Sequence, residues 1–129
     1  MPTGSKILIA EDDHFLSFLL RGRLEKENFL VRQVNDGQEA LDLLKSEKPD
    51  LIVLDLIMPR LSGFELLEII STDPELNKIP VIILSNLGQD EDIQKAKRLG
   101  AAEYFIKARS SVDEIVRTIK KFVGEHVTA

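Results

Sequence analysis

The stretch from Leu51 to Pro59, which reads LIVLDLIMP, constrains the fold more than any other part of the chain. Its four leading apolar residues are typical of a strand buried on both faces, as in a parallel sheet covered by helices. Pro59 cannot donate to a sheet ladder and disfavours helix at the residue before it, so the strand should end near Asp55. Asp55 is therefore predicted at the carboxyl edge of a central strand, where open α/β sheets bind ligands. Taken alone, an Asp at a strand end more often caps the following turn.

Size and composition fit one globular domain. The chain has 129 residues, of which 43% are hydrophobic and 30% charged, a net charge of -5 and no cysteine. Lys and Arg form no basic stripe, which argues against direct binding of nucleic acid, and disulfides and Cys-ligated metals are excluded. There is no signal core and no apolar run long enough to cross a bilayer, so we expect a soluble, cytoplasmic protein without membrane contact.

Five strand-like runs alternate with five helix-like stretches. Strands are predicted at residues 6–10, 30–34, 51–54, 79–84 and 103–106. Right-handed crossovers then give an open parallel sheet with helices on both faces, a three-layer α/β/α sandwich. The strand order 2-1-3-4-5 suits a five-stranded sheet of this kind. We expect one domain over residues 6–123, with short tails at 1–5 and 124–129.

Apolar residues at helical spacing predict the buried faces of the helices. In the first helix they are Phe15, Leu16, Leu19, Leu20 and Leu24, and in the last Val112, Ile115, Val116, Ile119 and Phe122, with fraying expected from Val123 onward. The fourth helix, from about Gln89 to Leu99, has only Ile93, Ala96 and Leu99 as an apolar line. Such a helix is loosely held and is a candidate for movement, although an ordinary solvated face explains the pattern equally well.

Polar residues follow the strands on what should be one rim of the sheet. Glu11 and Asp12 follow the first strand, Asp55 the third, Ser85 the fourth and Lys107 the fifth. Three close carboxylates repel one another unless a cation lies among them, and an all-oxygen site suits Mg²⁺. With the metal and the lysine neutralising phosphoryl oxygens and the serine donating a hydrogen bond, the aspartate after the third strand is placed to attack phosphorus.

Four motifs stand in the order and at the spacing of one protein family. They are ILIAEDD at 7–13, the Asp55 run with Met58, Pro59 and Gly63, Ser85 after a hydrophobic strand, and YFIK at 104–107. Over nearly the whole chain, from about Lys6 to Val123, the sequence resembles a response-regulator receiver domain of two-component signalling. The resemblance implies a flavodoxin-like sandwich of the receiver type.

The resemblance also implies the chemistry of the rim. Asp55 would accept a phosphoryl group from a phosphohistidine on a sensor histidine kinase or a histidine phosphotransfer protein, with Mg²⁺ as the cofactor. Asp12 would bind the ion directly, Glu11 would act on it through water, and the main-chain carbonyl of Ile57 would complete the protein ligands. Asp13 occupies a variable position of the family and is expected to cap the first helix instead.

A switch and an output face are implied in the same way. Ser85 would follow the phosphoryl group inward while Tyr104 moves between exposed and buried positions, and Lys107 would contact the phosphoryl group. The face made by helix 4, strand 5 and helix 5 would then bind a downstream effector protein. No effector domain follows helix 5, so output by protein binding is expected unless the chain is a fragment. We expect a monomer, with dimerisation on phosphorylation left open, and no enzymatic activity beyond self-phosphorylation from small donors and slow self-dephosphorylation.

Two positions depart from the family. Ala108 stands where proline with a cis bond is usual, and because a non-proline cis bond costs about 2.5–4 kcal/mol, a trans peptide is predicted after Lys107. Asn86 replaces a small residue and either crowds the site or donates to the phosphoryl group. Ile57 and Leu87 are apolar and cannot orient a hydrolytic water, which predicts slow self-dephosphorylation.

Other classes of protein share parts of this sequence pattern. A receiver-like scaffold that binds proteins without phosphorylation is the main alternative, and it rests on Ala108 and Asn86. A flavodoxin-like redox protein should carry a Ser, Thr or Gly phosphate cradle in its first loop, and a hydrolase should carry a lid or substrate pocket. The two histidines, His14 and His126, are expected to be solvated rather than ligands.

Overall fold

The computed structural model describes residues 4–123 and contains a five-stranded parallel sheet in the order β2-β1-β3-β4-β5. The strands are β1 (Lys6–Ala10), β2 (Leu30–Val34), β3 (Leu51–Leu54), β4 (Val81–Ser85) and β5 (Glu103–Ile106). The helices are α1 (His14–Lys26), α2 (Gly37–Ser46), α3 (Gly63–Thr72), α4 (Asp90–Arg98) and α5 (Val112–Val123). The predicted fold class and strand order are confirmed.

The alternation of side chains along the strands divides the core into two layers. On one face Leu8, Ile52 and Ile83 pack with residues of α2, α3 and α4. On the other face their neighbours Ile9 and Val53 pack with residues of α1 and α5. Every residue of β3 is buried, as expected for the central strand of a sheet with helices on both sides.

The helix starts are fixed by capping side chains, among them Asp13, for which the cap was predicted. Asp13 accepts a hydrogen bond from the Leu16 amide at the start of α1, and Asp36 caps α2. Ser62 and Glu65 form a reciprocal capping box at the start of α3. These caps set where each helix leaves the rim of the sheet.

The inner face of α1 differs from the prediction. Phe15 and Leu19 were expected in the core, but they are 73% and 38% exposed, and Phe18 is 72% exposed. The buried residues of α1 are Ser17, Leu20 and Leu24. The helix carries two apolar stripes, and the spacing of residues alone does not indicate which of them meets the sheet.

The core also extends further toward the C-terminus than predicted. Fraying was expected from Val123 onward, but Val123 ends α5 and is buried against the sheet face that α1 and α5 share. The remaining tail residues 124–129, with His126, lie outside the described residues, as do residues 1–3. No helix between residues 4 and 123 is long and apolar enough to cross a membrane.

The fourth helix is as thinly packed as its sequence indicated. Of its residues only Ala96 is buried, while Ile93 and, just past the helix end, Leu99 are half-buried. Gln89 at its N-terminus provides no side-chain cap. Gly100 follows with a φ of +111°, the left-handed conformation that ends many helices.

Candidate functional site

The parallel register of the sheet brings three predicted site residues to one rim. Ala10 of β1 and Leu54 of β3 are paired in the sheet, so Glu11 and Asp55 leave adjacent strands side by side. The amide of Asp55 donates to the carbonyl of Ala10 at 3.0 Å, which extends the ladder by one residue. Lys107 follows β5, two strands from β3 and three from β1, and its long side chain reaches across the rim.

The Lys107 ammonium group bridges the two carboxylates directly. Its Nζ lies 2.8 Å from Glu11 Oε2 and 2.9 Å from Asp55 Oδ2. Glu11 and Asp55 are only 1% and 4% exposed, so both charges are largely withdrawn from water. Buried carboxylates of this kind need a partner cation, and the lysine supplies one.

Burial and pairing shift the proton affinities in this cluster. Burial raises the pKa of Glu11 from 4.5 to about 7, although hydrogen bonds from Lys107 and from the Asp13 amide act in the opposite direction. Burial by itself would lower the pKa of Lys107, but its hydrogen bonds to Glu11 and Asp55 outweigh this and the pKa is raised. Lys107 therefore keeps its proton. The raised pKa of Glu11 indicates that Lys107 only partly offsets the cost of burying its negative charge.

The carboxylate cluster could hold a divalent cation in addition to the Lys107 ammonium group. Glu11, Asp12 and Asp55 each offer a carboxylate oxygen, and these atoms lie within 4.8 Å of one another. Glu11 Oε1 is buried and, among the described residues, has no hydrogen-bond partner. Asp12 is exposed, which leaves one side of the cluster open to water. An all-oxygen, partly hydrated site suits Mg²⁺ or Mn²⁺.

The loop after β3 orients the Asp55 carboxylate. The amide of Ile57 donates to Asp55 Oδ1 at 3.2 Å, while Oδ2 faces Lys107. The two oxygens thus have different partners, one in the loop and one across the rim. The Ile57 side chain is 60% exposed.

Ser85 and Tyr104 lie beside this cluster on neighbouring strands. Ser85 is fully buried and its Oγ accepts a hydrogen bond from the Leu87 amide at 3.3 Å. Tyr104 is half-buried, and its hydroxyl donates to the Leu87 carbonyl at 2.5 Å. Burial, followed by the charges of Asp92 and Asp55, raises the pKa of Tyr104, so the hydroxyl keeps its proton and donates. Both side chains therefore hold the same residue of the β4–α4 loop.

The peptide between Lys107 and Ala108 is trans, as predicted, since there is no cis bond within residues 4–123. Residues 107–109 form a short 3₁₀ turn directly after β5. The Ser110 hydroxyl donates to the Ile106 carbonyl at 2.9 Å and closes this turn. The changed loop still delivers the lysine to both carboxylates.

Other polar residues near the site have structural roles or none. Asp13 is the N-cap of α1, as expected, and its side chain does not join the carboxylate cluster. His14 and Asn86 are exposed.

An apolar surface next to the site was missed by the sequence reasoning. Phe15 lies in the first turn of α1, directly after the acidic loop, and Phe18 and Leu19 continue from it. We call these three residues and Ile57, which is exposed in the β3–α3 loop, the rim apolar surface. The available signal was the second apolar stripe of α1, at residues 15, 18 and 19.

Comparison with known proteins identifies the family. The model of the response regulator receiver domain matches residues 7–120. The chain belongs to the response regulator receiver domain family. Receiver domains are signalling phosphoacceptors of two-component signal transduction rather than conventional enzymes, and they work with histidine kinases or phosphotransfer proteins.

Individual relatives are similar along nearly their whole length. Sporulation initiation phosphotransferase F of Bacillus subtilis (strain 168) is 36% identical over 120 residues, which are 93% of this chain and 94% of that protein. The phosphorylated cyanobacterial phytochrome response regulator RcpA has a TM-score of 0.84 and 32% identity, covering 94% of both chains. The Mn²⁺-bound response regulator Rcp1 has a TM-score of 0.82 and 29% identity, covering 92% of this receiver domain and 93% of its own chain.

Proposed function

We propose that this receiver domain is a phosphorylation-controlled switch in which Asp55 accepts a phosphoryl group in the presence of Mg²⁺. The observation that carries the proposal is the pairing of Lys107 with Glu11 and Asp55 beside a buried carboxylate oxygen, Glu11 Oε1, that has no partner within residues 4–123. Lys107 would stabilise the anionic phosphoryl group, and the carboxylate cluster would bind the cation that accompanies it.

Each residue of the cluster has a distinct task in this scheme. Asp12 and Asp55 would hold the ion, with Glu11 acting on it through water and the Ile57 carbonyl completing the protein ligands. When bound, Mg²⁺ neutralises phosphoryl oxygens and favours in-line attack. The Ile57 amide already fixes one Asp55 oxygen by a hydrogen bond, and Lys107 pairs with the other.

Transfer from a phosphohistidine would be a direct displacement at phosphorus. An Asp55 carboxylate oxygen forms a bond to phosphorus as the bond from phosphorus to the imidazole nitrogen breaks, and the imidazole takes up a proton. The product is an acyl phosphate on Asp55. Lys107, which pairs with the carboxylate before transfer, is close enough to contact a phosphoryl oxygen afterwards.

The signal would leave through the β4–α4 loop. A phosphoryl group offers strong acceptors to the Ser85 hydroxyl, which now accepts from the Leu87 amide. Moving Ser85 would disturb the loop residue that Tyr104 also holds, and α4 has only one buried residue to resist. The face of α4, β5 and α5 would change in consequence and bind a downstream effector protein.

The rim apolar surface is the expected docking surface for the protein that donates the phosphoryl group. A donor histidine can reach Asp55 only if its protein covers the rim, and Phe15, Phe18, Leu19 and Ile57 are exposed on α1 and on the β3–α3 loop that leave this rim. Exposed aromatic residues beside a reactive site favour a protein partner over a small molecule. A sensor histidine kinase or a histidine phosphotransfer protein fits this surface.

Intact mass after incubation with acetyl phosphate tests the proposal. We expect one phosphoryl adduct that requires Mg²⁺ and disappears in Asp55→Asn, whereas the exposed carboxylate variant Asp42→Asn is phosphorylated normally. Metal-independent phosphorylation, or an adduct that survives Asp55→Asn, would contradict it. No adduct with Mg²⁺ binding intact would favour the alternative, a receiver-like scaffold that binds partners without phosphorylation.

The rim apolar surface is tested with a protein donor. Phe15→Ser and Phe18→Ser should slow transfer from a phosphorylated histidine phosphotransfer protein of the same organism by about tenfold, as for aromatic residues at interface centres. Labelling by acetyl phosphate should be unchanged. Equal rates with the protein donor would show that docking uses another surface.

The lifetime of the phosphorylated form is expected to be long. Ile57 and Leu87 cannot orient a hydrolytic water, so replacing both with polar residues, as in Ile57→Asn with Leu87→Glu, should shorten the lifetime. Decay of the phosphorylated mass after donor removal measures it. An unchanged decay rate would refute this explanation.

A further inference from the structure

The loop between β3 and α3 contains a backbone conformation that ordinary residues avoid. Arg60 has a φ of +69°, and the amide of Leu61 donates to the carbonyl of Pro59 at 2.9 Å. Together these are features of a γ-turn with positive φ at its centre, a rare and strained turn. Strain of this kind persists only where surrounding contacts impose it, and it concentrates at functional sites.

An ion pair to the start of α2 holds the strained residue. Arg60 Nε lies 3.2 Å from Asp36 Oδ2, and Nη2 donates to Oδ1 at 3.4 Å. The Asp36 side chain is only 13% exposed, and its Oδ1 also accepts from the Glu39 amide at 2.8 Å. The carboxylate is thus fixed on α2 before it meets the guanidinium group, which reduces the entropy lost in pairing.

The backbone of the same loop lies directly against α2. A Cβ atom at Gly37 would lie 2.0 Å from the Leu61 carbonyl oxygen, a distance that no side chain tolerates. Glycine at this position lets the loop seat on the first turn of the helix. Two independent contacts, one ionic and one steric, therefore join this loop to α2.

The other end of the loop carries the site. The Ile57 amide donates to Asp55 Oδ1, and the Gly63 amide donates to the Leu56 carbonyl at 2.9 Å. The residues between Asp55 and Gly63 thus have both ends fixed. Met58 is buried in the core, and beyond it Arg60 and Leu61 attach the loop to α2. Arg60 lies three residues after Ile57, so its ion pair acts on the same short segment that carries the Ile57 carbonyl.

We propose that Arg60 is a positioning residue, and that its ion pair with Asp36 fixes the β3–α3 loop on α2 and thereby holds the Ile57 carbonyl in place for Mg²⁺. This inference rests on the proposed function, because that function places the Ile57 carbonyl among the metal ligands. Arg60 itself touches neither the ion nor the phosphoryl group. It acts through the loop.

Mg²⁺ affinity measured by isothermal titration calorimetry on the unphosphorylated protein is the direct readout. Arg60→Ala and Asp36→Asn should each raise the dissociation constant by about twofold to fivefold, the range for an exposed ion pair. Asparagine preserves the helix cap, so Asp36→Asn removes the charge alone. The double variant should be no weaker than either single one, and Arg60→Lys should recover part of the affinity.

Thermal unfolding in EDTA separates positioning from general stability. Arg60→Gly removes the ion pair and also the strain, since glycine accepts positive φ freely. We expect Mg²⁺ affinity to fall in this variant as in Arg60→Ala while its melting temperature is at least as high as that of Arg60→Ala. A purely structural role would make affinity follow stability.

Arg32→Ala is the matched control. It breaks an exposed pair of similar length, Arg32 Nε to Glu47 Oε1 at 3.1 Å, at the other end of α2. Its Mg²⁺ affinity should equal that of the wild type. Unchanged affinity in Arg60→Ala and Asp36→Asn, or an equal loss in Arg32→Ala, would overturn the inference while leaving the proposed function intact. A wild-type protein that binds no Mg²⁺ would overturn both.

Discussion

The loops that follow β3 and β4 leave the same rim but are attached very differently. The β3–α3 loop is held by the Arg60 ion pair, by close backbone contact at Gly37 and by a capping box, and α3 buries Gly63, Leu66, Leu67 and Ile70. The β4–α4 loop is held through Leu87 by Ser85 and Tyr104, and α4 buries Ala96 alone. The half that would accept the phosphoryl group is fixed, whereas the half that would respond to it is lightly held.

This contrast explains how a small chemical change could have a directed effect. A rigid acceptor half would keep Asp55, the proposed metal ligands and Lys107 in register, so that little energy is lost in deforming them. A weakly packed helix costs little to move, so the same perturbation is expressed there. On the proposed function, the difference in packing would determine which part of the domain responds.

The largest expected effect is on stability. Leu66→Ala in α3 removes a fully buried side chain and should lower the free energy of unfolding by about 2–5 kcal/mol. Ile93→Ala in α4 should cost less than about 1.5 kcal/mol, because Ile93 is only half-buried. Urea unfolding measures both. Equal losses would remove the contrast between the two helices.

The next effect comes from the buried charge of the acceptor half. The folded-state pKa of Glu11 is raised to about 7 from 4.5. The contribution of Glu11 to the free energy of unfolding is therefore fully present below pH 4.5 and is lost as pH rises through 7. The loss is on the order of 3 kcal/mol. Without Mg²⁺, wild type should therefore lose stability relative to Glu11→Gln between pH 5 and pH 8, and Mg²⁺ should reduce the difference. Parallel pH profiles of the two proteins in urea would contradict this.

A smaller effect is expected where α3 begins. A Cβ at Gly63 would lie 2.2 Å from the Asp55 carbonyl oxygen, so Gly63→Ala must displace that backbone. We expect a loss of about 1–3 kcal/mol and slower phosphorylation from acetyl phosphate. Gly22→Ala is the control, because a Cβ there meets nothing within 4 Å, and it should be neutral or stabilising. Normal phosphorylation of Gly63→Ala would show that the backbone at Asp55 tolerates movement.

The smallest effect concerns the responding half. Tyr104→Phe removes the hydrogen bond to the Leu87 carbonyl and should cost about 1 kcal/mol. Hydrogen exchange should become faster in α4 but not in α3. If exchange rose equally in both helices, Tyr104 would be supporting the whole domain rather than the β4–α4 loop.

Much of the fold could be predicted because local and global signals agree. The apolar run before Asp55 was predicted as a central strand and is one, and Asp13 caps the first helix as expected. Once the strands are parallel, the residues that follow them share one rim, so the meeting of Glu11, Asp55 and Lys107 follows from topology.

The remaining features depend on distances that no local pattern contains. Helical spacing could not choose between the two apolar stripes of α1, so Phe15 was wrongly placed in the core. The pairing of Arg60 with Asp36 joins residues far apart in sequence, and nothing in an arginine signals a positive φ. The direct bridge from Lys107 to both carboxylates depends on how the loop at Ala108 turns.

The most direct test of the account is to locate the phosphoryl group chemically. Protein labelled with acetyl phosphate and Mg²⁺ is reduced with borohydride, which converts an acyl phosphate on aspartate to homoserine, and is then mapped by peptide mass spectrometry. We predict homoserine at position 55 and at no other aspartate. Homoserine at Asp12 or Asp13 instead, or its absence from labelled protein, would contradict the assignment of Asp55 as the acceptor.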